Sequence, residues 1–155
     1  MFKKIFSLIT VAIAALIVSA CGGSSSGGDT PPDPTPPVTS SMNNNNGSVS
    51  NGQINVVLRP SLGVSFSGPV NPITVNTQTV VLSTATDGSN PIALTPFTAN
   101  NNNTNYSFAT VNLLQANTKY YLIVNGVNTE GTQTESAQAV SANTFSFTTG
   151  ASTIP

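Results

Sequence analysis

Histidine and tryptophan are missing from this 155-residue chain, and cysteine occurs once, at Cys21. Without His and with a single thiol, the sequence lacks the usual general base, the paired catalytic nucleophile and the ligand set of soft-metal sites. Charge is almost as scarce, with four Lys/Arg and five Asp/Glu. Too few cations are present to build a basic face for a phosphate backbone, which argues against a nucleic-acid partner. Polar character comes instead from Asn, Thr and Ser, the composition of a β-rich extracellular protein. The length leaves room for one domain.

Lys3 and Lys4 precede an apolar run from Ile5 to Ala20, interrupted only by Ser7, Thr10 and Ser19. This is the layout of an export signal, and the run falls short of the about 20 residues that a membrane-spanning helix needs. It ends in Val18-Ser19-Ala20-Cys21 followed by Gly22, residues that resemble the lipobox of bacterial lipoproteins. The resemblance implies cleavage before Cys21, diacylglycerol on its thiol, a further acyl chain such as palmitate on the new amino group, and a membrane as partner. Gly22, rather than Asp, resembles the pattern that lets lipoproteins proceed to the outer membrane of a two-membrane host. An ordinary signal peptide, or an uncleaved anchor, with a chance cysteine is the alternative. Loss of residues 1–20 leaves Arg59 and Lys119 against Asp29, Asp33, Asp87, Glu130 and Glu135, a net charge of −3.

Residues 21–50 read as the lipidated cysteine and a tether, GGSSSGGDTPPDPTPPVTSSMNNNNGSVS after Cys21, with Val38, Met42 and Val49 as the apolar side chains. So little apolar surface does not offset the entropy of ordering, so the segment is expected to be disordered. Pro31, Pro32, Pro34, Pro36 and Pro37 favour extended geometry in its middle. A spacer is the expected role, and a docking ligand for an aromatic groove is the alternative.

From Asn51 the texture changes to short runs of Val, Ile, Thr, Phe and Tyr separated by Gly, Pro, Asn and Asp, the pattern of strands joined by turns. Alternation selects Leu62, Val64 and Phe66; Val80 and Leu82; Ile92 and Leu94; Tyr106 and Phe108; Tyr120, Leu122 and Val124; and Phe145 and Phe147 as core. With a strand around Ile54–Leu58, this predicts about seven strands over residues 51–150, an all-β, Ig-like two-sheet sandwich. Residues 151–155 form a tail. Asp87-Gly88-Ser89-Asn90-Pro91 is a strong turn.

The order Gly63-Val64-Ser65-Phe66-Ser67-Gly68-Pro69-Val70-Asn71-Pro72, Thr79-Val80-Val81-Leu82, Leu114 with Tyr120, and Phe145-Ser146-Phe147-Thr148-Thr149-Gly150 resembles the bacterial Ig-like domain of S-layer proteins, the SbsA type. Leu114 and Tyr120 also look like a tyrosine corner, in which the Tyr hydroxyl bonds backbone near the preceding crossover. That role is structural. The family often has an Asp in the loop after the Tyr strand, and the loop here, Gly126-Val127-Asn128-Thr129-Glu130-Gly131-Thr132, lacks it. Continuing to about Asn143, the loop is long; it either packs a further short strand or is mobile.

Candidate chemistry is limited to carboxylates. Asp87 belongs to its turn. Glu130 and Glu135 share a loop and are the pair to weigh for calcium binding or glycoside hydrolysis. The Asn tracts 43–46 and 100–103 read as linker and hairpin loop; Asn46-Gly47-Ser48, Asn102-Asn103-Thr104 and Asn105-Tyr106-Ser107 match the glycosylation pattern without implying it in a bacterium. The resulting expectation is a non-enzymatic, lipid-anchored envelope module, structural or adhesive, with no metal and no cofactor and with a protein or glycan ligand at its sandwich-end loops. The alternatives are an accessory subunit of an envelope complex and a hydrolase using Glu130 and Glu135.

Overall fold

The computed structural model describes residues 38–42, 47–100, 102–130 and 137–151. Two units divide the chain, Met1–Pro34 and Thr35–Pro155, and all described residues belong to the second.

Among the described residues there are seven strands: β1 Ser40–Met42, β2 Ser61–Phe66, β3 Val80–Ser83, β4 Thr98–Asn100, β5 Asn105–Ala109, β6 Lys119–Val124 and β7 Asn143–Thr148. All pairings between them are antiparallel. One sheet has the order β1-β2-β5-β4 and the other β3-β6-β7. That is the 1-2-5-4 and 3-6-7 arrangement of a constant-type immunoglobulin sandwich, in which Greek-key crossovers carry the chain between sheets. The protein is an Ig-like β-sandwich.

Alternation along β2, β3, β5, β6 and β7 drives one face of each strand inward. Leu62, Val64, Phe66, Val80, Leu82, Tyr106, Phe108, Tyr120, Leu122, Val124, Phe145 and Phe147 are all buried. Aromatic pairs tie neighbouring strands within each sheet. Tyr120 stacks on Phe147 at 5.6 Å between centroids, and Phe66 meets Tyr106 edge-on at 5.9 Å. Such pairs add to the burial of their area.

The tether boundary at Ser50 is corrected. Ser40–Met42 pairs with Phe66–Val64 along the edge of β2, and Met42 and Val49 lie in the core, Val49 with no exposed surface. Two apolar anchors and a short ladder on the edge of β2 hold residues 38–42 and 47–50 against the domain. Gly47 lies flat on β2: a Cβ there would come within 2.5 Å of the Leu62 carbonyl carbon.

The expected strand around Ile54–Leu58 is also corrected. Asn55 takes a positive φ of 56° and Ile54 is exposed, so that only Val56 is bridged, in parallel, to Thr149. This segment instead covers the outer edge of β7, where Gly52 N–H donates to Ser146 O and Val56 N–H to Thr148 O. Ile92 and Leu94, half-buried against the core, form no named strand. Their backbone crosses between sheets, Ile92 N–H donating to Leu82 O while Leu94 is bridged to Thr110. The strand on that side is β4, whose three residues are all exposed.

The Val64-to-Pro72 stretch is explained by the crossover it makes. Val70 is buried and bridged to Thr129. Asn71 caps a 3-10 turn over Pro72–Thr74, its side chain accepting from Ile73 N–H at 3.1 Å, with Pro72 at the first position. The long loop after β6 resolves, over its described arms, into the further pairing. Val127 and Val140 are buried, Asn128 is bridged to Ala139, and Val140 N–H donates to Val127 O. Residues 131–136, with Gly131 and Glu135, lie outside the described residues.

Candidate functional site

The strand register sorts the loops to two poles. At one, the chain enters at Val38, beside Gly68, and meets the loops after β2, β4 and β6. At the other lie the loops after β3 and β5, with the end of β7 at Thr148.

At the second pole Tyr120 and Leu114 come together, both buried. Tyr120, at the start of β6, accepts a hydrogen bond on its hydroxyl from Gln115 N–H at 2.9 Å. The other side of the same residue is held too, because Thr149 Oγ1 donates to Gln115 O at 2.6 Å and accepts from Thr118 N–H at 2.9 Å. Asn117, at φ 50°, supplies the left-handed residue that this turn needs, and its N–H donates to Gly150 O. The corner thus clamps the 114–118 loop to the end of β7. In the sequence Thr149 stands only as part of the Phe145-to-Gly150 motif, with no role of its own.

Beside the clamp is an open hollow of about 630 Å³, bordered by Ser89, Asn90, Pro91, Ile92, Asn112 and Gln115. The Asp87 turn forms its rim. Asp87 Oδ1 accepts from Ser89 N–H at 3.0 Å, and the hydrogen bonds from the Ser89 backbone and side chain hold this exposed carboxyl below its ordinary range. A lowered carboxylate stabilises above its unfolded pKa, and that contribution is lost as pH falls through the lowered value.

At the first pole, Glu130 accepts from Asn103 Nδ2 at 2.7 Å, an interaction within the hairpin loops. Asn102 and Asn103 are consecutive left-handed residues, φ 52° and 59°, so the Asn tract here serves turn geometry. Tyr106 lies beneath. Its hydroxyl is buried without a partner among the described residues, and desolvation, aided by the charge of Glu130, raises its pKa. Glu135 lies outside the described residues, as do Cys21, Val18, Ser19 and Ala20. Among the described residues no three His, Cys, Asp or Glu side chains are grouped to hold a metal.

The two tyrosines therefore predict opposite results. Tyr120→Phe leaves Gln115 N–H without its partner and is expected to cost about 1–3 kcal/mol. Tyr106→Phe removes an unpaired buried hydroxyl and is expected to be neutral or stabilising. Urea unfolding of the two variants beside the parent checks the contrast.

Strand order and corner define the class, an Ig-like sandwich. No family profile matches the sequence, and no curated relative matches it. Among solved structures the chain is similar to surface layer protein SbsC, domains 1–6, and to the crystallised N-terminal part of the bacterial S-layer protein SbsC. In both cases the identity is 12% and the TM-score 0.49, over 72% of this chain. It spans 14% of the first chain's length and 24% of the second's.

Proposed function

We propose that this chain is a lipid-anchored, non-catalytic module of the bacterial cell envelope, presenting one bacterial Ig-like domain as a structural or adhesive element. The observation that carries the proposal is the place of the single cysteine. Cys21 follows a charged-then-apolar export segment and the small residues Ser19 and Ala20, where a lipobox requires it. Two or more acyl chains hold a protein on a bilayer far more firmly than one. Exported and lipidated, the chain reaches the outer membrane where the host has two membranes.

Sixteen residues separate Cys21 from Val38, a spacer length of roughly 50 Å at about 3.1 Å per residue, and Val38 itself lies at one pole of the domain, beside Gly68. The proposed contact for a protein or glycan partner is the hollow and the loops 84–91 and 112–118 at the other pole. Labelled palmitate supplied to growing cells is expected to enter the parent chain and not Cys21→Ala; equal labelling of both would overturn the proposal. Protease shaving then distinguishes the faces. Loss of the domain from intact cells means surface display, and protection until permeabilisation means a place within the envelope.

A further inference from the structure

In Asn-Gly sequences the glycine nitrogen can attack the Asn side-chain carbonyl. An N–Cγ bond forms, ammonia leaves, and water opens the resulting succinimide to aspartate or isoaspartate. The reaction requires a glycine N–H that is free to lose its proton, and a glycine leaves the approach open. Asp-Gly steps close the same ring with loss of water.

Three such steps have both residues described. At Asn51-Gly52 the Gly52 N–H donates to Ser146 O at 2.7 Å, and Asn51 Oδ1 accepts from Ser146 N–H at 2.9 Å. Nucleophile and electrophile are both committed to β7. At Asp87-Gly88 the Gly88 N–H donates to Ala85 O at 3.2 Å while Asp87 Oδ1 accepts from Ser89 N–H. At Asn125-Gly126 both residues are exposed. Only the Asn125 N–H is engaged there, with Thr79 O at 2.8 Å; the Gly126 N–H and the Asn125 side chain have no partner among the described residues.

We infer that Asn125 is a modification site: in the folded domain it deamidates through a succinimide closed by the Gly126 nitrogen, while Asn51, in the same dipeptide, is held by β7. The site sits where change matters. Val124 and Val127 on either side are both core residues, and Asn128 O accepts from Asn71 N–H. An isoaspartate at 125 inserts one more main-chain carbon between those two anchors and adds a negative charge. The long arm after β6 is thereby loosened from the 3-10 crossover.

The test incubates the full chain, purified in detergent, at mildly alkaline pH and maps the products by tandem mass spectrometry, with isoaspartyl methyltransferase counting isoaspartate. In the folded protein conversion at Asn125 is expected to outpace that at Asn51 by about tenfold or more. In denaturant the two rates should converge. Equal rates in the folded chain, or faster conversion at Asn51, would overturn the inference. Asn125→Gln should remove the isoaspartate signal from its peptide, and persistence of that signal would place the reaction elsewhere.

Discussion

A chain that begins at Asn51 is expected to unfold about 3–6 kcal/mol more easily than one that begins at Val38, from burial of Met42 and Val49 at about 1.5–3 kcal/mol each. In a domain of this size the melting point should fall by about 10 °C or more. The loss has two parts. Met42 and Val49 leave the core, and β2 becomes an edge strand once Ser40, Ser41 and Met42 no longer pair with Phe66, Ser65 and Val64. An uncovered edge also invites pairing between molecules. Urea midpoints for the two chains, with m-values, measure the effect. Equal midpoints would mean that residues 38–50 contribute nothing to the fold.

Phe147→Ala is the single substitution expected to cost most, about 3–5 kcal/mol. Phe147 is 1% exposed, stacks on Tyr120, and sits on the strand whose end Thr149 clamps. The cavity would open against the corner, so collapse around it is opposed by the Gln115 hydrogen bonds. Phe97 is the comparison. It lies 4.7 Å from Phe108 and is only partly buried, so Phe97→Ala should lose less than half as much. Against a total stability of about 5–15 kcal/mol, the first change brings the domain close to unfolding and the second does not.

How far the sequence reveals the fold depends on where each strand draws its stability. β2, β3, β5, β6 and β7 bury a regular row of side chains, so period-two alternation exposes them. β1 is Ser-Ser-Met inside a polar, low-complexity stretch, where the single apolar anchor Met42 makes no alternating row to read and the backbone ladder on β2 leaves no side-chain pattern. β4 shows three exposed residues and has no apolar row to read. Ile92 and Leu94 alternate correctly, yet their backbone divides its hydrogen bonds between two sheets. Val127 and Val140 are single apolar residues among polar ones, and their pairing becomes visible only when Asn128 meets Ala139.

The site shows a similar division. Leu114 and Tyr120 resemble the tyrosine corner of Ig-like sandwiches, and the Tyr120 hydroxyl accepts from Gln115 N–H. The Thr149 clamp works through the backbone of Gln115 and Thr118, which composition does not disclose. The fates of the three Asx-Gly steps depend on whether the glycine N–H and the Asx side chain are hydrogen-bonded, which only the folded chain decides.

The anchor at Cys21 is the claim on which the proposed function turns, and the mass of the N-terminal peptide of the mature protein, extracted from membranes, tests it most directly. The account predicts a peptide that begins at Cys21, lacks residues 1–20 and carries acyl chains on the cysteine. A peptide that retains residues before Cys21, or that bears an unmodified thiol, would contradict it.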